Sequence, residues 1–193
     1  MTRATPLLAA VAGLWLAAAT PADAARLTLN EGQQADALRA GQRSVTQDSG
    51  FDAEWKVENT IGESVIVVTP FYRLALAARN AAFKSEAVKP QDQTKILDGM
   101  RDRLTFWVHL NGPREDFARY YTPRLLVGDL EVVPVFVQNE RTSLRQPNGS
   151  FLARSIYAFP TKDVTDTSRV VLVVRDSEGQ LKSRFAVDLA KMR

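Results

Sequence analysis

Residues 104–159 carry three apolar runs broken by turn signals, and that pattern leaves the chain little choice but antiparallel β-structure. Leu104, Phe106, Val108 and Leu110 alternate with Thr105, Trp107 and His109. Side chains alternate across a strand, so the four apolar groups fall on one face. Asn111, Gly112 and Pro113 stop the run. Pro113, followed by Glu115 and Asp116, predicts a short helix to about Tyr121: proline suits the first helical position, and acids suit the positive end of the dipole.

Gly128 and Asp129 separate an apolar stretch at 124–127 from another at 130–137, which predicts a type II′ hairpin turn. The second arm is apolar on both faces and is expected to be buried. Pro134 cannot donate to a ladder, so a bulge or a switch between sheets is expected there. A polar segment at 138–149 ends in the turn Pro147, Asn148, Gly149. The third run then extends from Phe151 to Phe159 and is closed by Pro160.

The first 24 residues read as a secretory signal: Arg3, an apolar run at 7–19, and the small-x-small site Ala22, Asp23, Ala24. The run is shorter than the ~20 residues a spanning helix needs. Cleavage after Ala24 would leave 25–193, a length suited to one domain. The chain has 0 cysteines, which excludes a disulfide framework, thiol catalysis, a thiolate metal site and a lipidated cysteine. A periplasmic or secreted protein with no stable membrane anchor is expected. The 25 basic and 22 acidic residues are interspersed, giving a net charge of +3 without the concentrated basic patch that nucleic-acid binding needs.

Elsewhere, 26–29 reads as a short leading strand, and Asn30 as the N-cap of a helix stopped by Gly41. Strands are expected at 55–58 and 64–69, with a turn around Ile61 and Gly62. Thr69 and Pro70 then open a helix carrying Phe71, Leu74, Ala75, Ala78 and Ala82 at helical spacing. Lys89 and Pro90 precede a second helical pattern, Ile96, Leu97, Met100 and Leu104. Together these predict an αα-hairpin inserted at about 70–103. The continuous run 170–174 reads as a central buried strand, and Leu181, Ser183, Phe185, Val187 and Leu189 as a last strand with one wet face. Lys191, Met192 and Arg193 are expected to form a solvated tail. The fold class is therefore α+β, predominantly β: an antiparallel immunoglobulin-like β-sandwich with an inserted αα-hairpin.

Chemistry is sparse. His109 is the single histidine, and the sequence has no Gly-x-Ser-x-Gly, Ser-x-x-Lys, His-Glu-x-x-His, phosphate loop or acidic calcium loop. No cofactor, no metal ligand and no catalytic residue is expected. The acid pairs Glu115–Asp116 and Asp129–Glu131 read as a helix start and a solvated hairpin tip. Two regions are better placed for binding. In the polar loop, Arg141 and Arg145 suit bidentate pairing with carboxylate or phosphate and Asn139 adds hydrogen bonds; a helical loop would put both arginines on one face. The second region sets Phe117, Tyr120 and Tyr121 beside Arg119 and Arg124, residue types enriched at contact surfaces. These features predict an exported, non-enzymatic binding or assembly module of the bacterial cell envelope. It would contact a protein or polysaccharide through loops or a sheet edge. The alternative is a carboxylate-dependent hydrolase of cell-envelope glycans, which needs two carboxylates ~5–10 Å apart across a cleft.

Overall fold

The computed structural model describes residues 25–47 and 50–193; the predicted signal at 1–24 lies outside the described residues. In chain order the described residues form α1 (Glu31–Ser44), β1 (Lys56–Glu58), β2 (Ser64–Val68), α2 (Pro70–Ala82) and α3 (Pro90–Met100). There follow β3 (Arg103–Gly112), β4 (Thr122–Val127), β5 (Leu130–Val132), β6 (Phe136–Gln138) and β7 (Leu144–Arg145). The chain closes with β8 (Phe151–Pro160), β9 (Arg169–Arg175), β10 (Leu181–Asp188) and a 3₁₀ turn, Leu189–Lys191. The strands make two antiparallel sheets. The larger has the order β1-β2-β3-β8-β6, with β7 also on β8; the smaller has the order β10-β9-β4-β5.

The alternation in β3 does what its spacing requires. Leu104, Phe106, Val108 and Leu110 are all buried, and Thr105, Trp107 and His109 only half-buried. These residues join Leu125, Leu172, Phe185 and Val187 of the smaller sheet and Leu74 of α2 in one hydrophobic cluster. Each such side chain contributes about 1.5–3 kcal/mol on leaving water. The run 170–174 lies in β9, flanked by β10 and β4, so its continuous apolarity matches a central position.

Local signals hold at several joints. Asn30 accepts from the Gln33 amide at 3.0 Å while Gln33 Oε1 accepts from the Asn30 amide at 2.9 Å, a reciprocal capping box. Thr69 Oγ1 accepts from the Tyr72 amide at 3.1 Å, with Pro70 as the first residue of α2. Gly128 has φ of 58° and Asp129 does not share the positive φ, as a type II′ turn demands, and Val127 faces Leu130. At Pro134 the chain leaves the smaller sheet and enters the larger one, so the proline marks a sheet switch.

Other expectations need correction. The arm at 130–137 is not buried; Val133 and Val135 are 61% and 59% exposed. Residues 26–29 form no strand, because the Leu27 amide is taken by Asp166 Oδ1 at 3.1 Å and the Ala25 amide by the Leu189 carbonyl at 2.8 Å. Gly41 does not end α1. It lets α1 lie against α2 so closely that a Cβ there would sit 2.0 Å from the Ala75 carbonyl oxygen. Helices do occupy the expected insert, yet α2 shares its larger contact with α1, not with α3. Residues 113–121 form successive tight turns in place of a helix, with Phe117, Arg119 and Tyr121 amides bonding to carbonyls three residues back. The Phe117 ring fills the space a side chain at Gly112 would need. β1 and β2, on either side of the turn expected around Ile61 and Gly62, form a hairpin. Finally, the C-terminal residues are not a solvated tail. Met192 is buried, and the Arg193 carbonyl accepts from Trp55 Nε1 and Thr69 Oγ1, both at 2.6 Å.

Candidate binding edge and adjoining clefts

β6 and β7 lie along the same side of β8, but in different registers. Phe136 faces Ala158 and Leu144 faces Leu152, so the nine residues from Phe136 to Leu144 run along seven of β8. The excess bulges out at 139–143, as extra residues at a sheet edge must. This bulge ties the two binding regions together. Asn139 Nδ2 donates to the carbonyls of Arg119 (3.3 Å) and Tyr121 (2.8 Å), and its Oδ1 accepts from the Tyr157 hydroxyl at 2.9 Å. The Ser143 amide donates to the Glu115 carbonyl at 2.8 Å. These three bonds of the Asn139 side chain are therefore to the protein itself, where a ligand contact was expected.

The two loop arginines separate. The segment is not helical, so Arg141 and Arg145 share no helical face. Arg141 is exposed in the bulge, while Arg145 sits in β7 opposite Phe151. Arg145 lines a cleft of about 650 Å³ with Arg154 of β8, Glu115, Glu140, Ser143 and Phe151. Ser143 is 4% exposed, and its hydroxyl has no hydrogen-bond partner among the described residues. Sequence reasoning missed Arg154, which is separated from Arg145 by nine positions and lines the same cleft because β7 lies along β8.

The aromatic–arginine region is also divided. Tyr120 is 65% exposed, with the Arg119 guanidinium 5.5 Å from its ring centroid. Tyr121 is half-buried, packs edge-on against Phe117 at 5.8 Å, and has its phenol pushed up by burial. Both tyrosines line a second cleft of about 470 Å³ with Ile61, Glu63, Asp176 and Lys182, where three connections between strands meet. Lys182 pairs with Asp176 at 2.8 Å and holds its carboxyl below the ordinary range. Arg124 is elsewhere: it and Arg175 both reach Glu131 at 3.3 Å, so Glu131 neutralises two neighbours instead of standing at an open hairpin tip.

The largest departure from the sequence expectation is apolar. Of the ten exposed large hydrophobic side chains among the described residues, six are Leu130, Val133, Val135, Phe136, Val137 and Leu144. They run from β5, which ends the smaller sheet, to β6 and β7, which edge the larger. β6 pairs on one side only, with β8. Pro134 was the legible sign of an edge; the surrounding valines pointed to the interior instead.

His109 is half-buried with its Nδ1 3.4 Å from Ser64 Oγ. Burial first, then Arg154 and Lys56, hold its imidazole pKa below the ordinary 6.5. Among the described residues no group of three or more His, Cys, Asp or Glu is placed to hold a metal ion. No helix of the described residues is long and apolar enough to cross a membrane.

No protein-family model matches the chain, and no curated protein matches it. Among solved structures it is similar to a novel protein of unknown function from Burkholderia pseudomallei, at 8% identity and a TM-score of 0.43, over 84% of this chain and 91% of that one. It is also similar to an IgNAR antibody domain C1, at 8% identity and a TM-score of 0.32, over 53% of this chain and 84% of that one.

Proposed function

We propose that this chain is an exported, non-enzymatic binding module of the bacterial cell envelope, docking an extended segment of a protein partner along β6. The observation that carries the reading is the set of exposed apolar side chains between Leu130 and Leu144, two of which, Phe136 and Val137, stand on β6, a strand paired on one side only. An open edge offers main-chain donors and acceptors for another strand, and exposed aliphatic groups beside it add contact area. Soluble proteins do not ordinarily leave such a margin bare unless something covers it. The two sheets in this reading are an immunoglobulin-like sandwich bearing an αα-hairpin, carried to the periplasm by the signal at 1–24.

The test places a photo-crosslinking residue at Val137 and, as a control, at exposed Asp92 of α3, in cells that make the protein. The expected result is a protein adduct from position 137 alone, lost on Val135→Glu plus Phe136→Lys without change in melting temperature. Adducts of equal yield from both positions, or indifference to the double substitution, would remove the edge from the proposal.

The rival function, hydrolysis of envelope glycans, has one observation in its favour: Glu115 and Glu140 line the same cleft. Release of reducing sugar from cell-wall glycan by the purified protein, abolished by Glu140→Gln, would replace binding with catalysis.

A further inference from the structure

The cleft beside β7 collects charge that the fold does not use. Arg124, Arg175 and Arg193 each meet a carboxylate within ion-pair distance. Arg145, Arg154, Glu115 and Glu140 line one cleft with both signs present, yet among the described residues no ion pair or hydrogen bond is made by the charged group of any of them. Beside them the buried Ser143 hydroxyl lacks a partner, a costly state for a polar group out of water. Phe151, half-buried, supplies an apolar wall.

We propose that this cleft binds a small zwitterion of the amino-acid class, a free amino acid or a short peptide with both ends free. A carboxylate suits the two guanidinium groups, which donate to it in fork geometry. An ammonium suits Glu115 and Glu140, and Ser143 completes the polar lining. A simple anion would meet the two carboxylates, and a simple cation the two arginines; only a ligand carrying both charges satisfies all four groups. The volume of about 650 Å³ lies within the ~300–1,000 Å³ of small-molecule sites. This assignment does not rest on docking along β6, since none of these charged groups belongs to that strand.

Titration of the purified protein followed by amide NMR tests it, with four probes: Ala-Ala, N-acetyl-Ala-Ala, Ala-Ala amide and inorganic phosphate. Ala-Ala is expected to shift the Ser143, Arg145 and Arg154 amides saturably. Blocking either end should weaken binding about tenfold or more, since each removes a charge-assisted contact. Arg154→Gln and Glu140→Gln should each weaken it similarly at unchanged melting temperature. Indifference to acetylation would make this an anion site, and indifference to amidation a cation site; either overturns the proposal. So does saturable binding of phosphate as tight as Ala-Ala, or no saturable shift up to ~10 mM probe, beyond the range of useful affinity.

Discussion

The Tyr157 hydroxyl donates to Asn139 Oδ1 across 2.9 Å, joining the buried face of β8 to the bulge at the sheet edge. The same amide gives its two protons to carbonyls at Arg119 and Tyr121, so one side chain holds three segments in register. Burial pushes the Tyr157 phenol up to about 12, consistent with a hydroxyl kept neutral and donating. Asn139→Ala strands that hydroxyl and both carbonyls, and should cost about 2–3 kcal/mol of stability in urea unfolding. Tyr157→Phe should cost about 1 kcal/mol, and the double variant less than the sum, because both changes break the same bond. A fully stable Asn139→Ala protein would return this residue to the ligand-contacting role its loop position suggested.

What the sequence disclosed and what it hid divide along one physical line. Signals acting within a few residues were legible: the alternation in β3, the caps at Asn30 and Thr69, the turn at Gly128, the break at Pro134. Each depends on local sterics or hydrogen bonds. Contacts set by pairing across the chain were not. Arg154 lines the same cleft as Arg145 because β7 lies along β8, and Arg193 reaches Trp55 and Thr69 across more than a hundred positions. Val133 and Val135 misled because apolarity marks a buried strand and an interaction edge alike. Gly41 misled because glycine serves helix ends and close helix contacts equally well.

Gly41 and Gly99 should respond to alanine with opposite signs. Both lie within helices, where alanine is favoured by about 1 kcal/mol. At Gly99 a Cβ meets nothing within 4 Å, so Gly99→Ala should stabilise by about 0.5–1 kcal/mol. At Gly41 it would lie 2.0 Å from the Ala75 carbonyl oxygen and 2.8 Å from Ala78 Cβ, both on α2. Backbone cannot yield cheaply, so Gly41→Ala should destabilise by about 1–3 kcal/mol, read as a lowered melting temperature. A stabilised Gly41→Ala variant would mean that α1 does not seat on α2 this tightly.

His109 links stability to mild acid. Its folded pKa lies below the ordinary 6.5, chiefly through burial and then through Arg154 and Lys56. The unfolded chain therefore takes up the proton first, and acidification favours unfolding. The contribution is intact above the unfolded pKa and is lost as pH falls below about 6.5. His109→Gln should flatten the stability profile between about pH 7 and 5, measured by urea unfolding at each pH. An unchanged slope in the variant would assign the dependence to other groups.

Glu63 offers the sharpest test of how the two sheets are held together. It is 4% exposed, beside the turn between β1 and β2. Its Oε1 accepts from the Asn111 amide at 3.0 Å, and its Oε2 from Asn59 Nδ2 at 2.9 Å and Ser183 Oγ at 2.6 Å. Ser183 lies in β10 of the smaller sheet and Asn111 in β3 of the larger, so one carboxylate spans both. Hydrogen bonds to a charged acceptor in a buried site are among the stronger ones, and deleting the acceptor leaves its donors unsatisfied. Glu63→Ala should cost about 2–4 kcal/mol and Ser183→Ala only about 1 kcal/mol, since the latter removes a single donor. Hydrogen exchange separates this role from a general loss of stability: in Glu63→Ala the Asn111 amide should lose protection selectively while amides of the central strand β9 keep theirs. Uniform loss across both sheets would mean that the carboxylate merely fills space at this end of the fold.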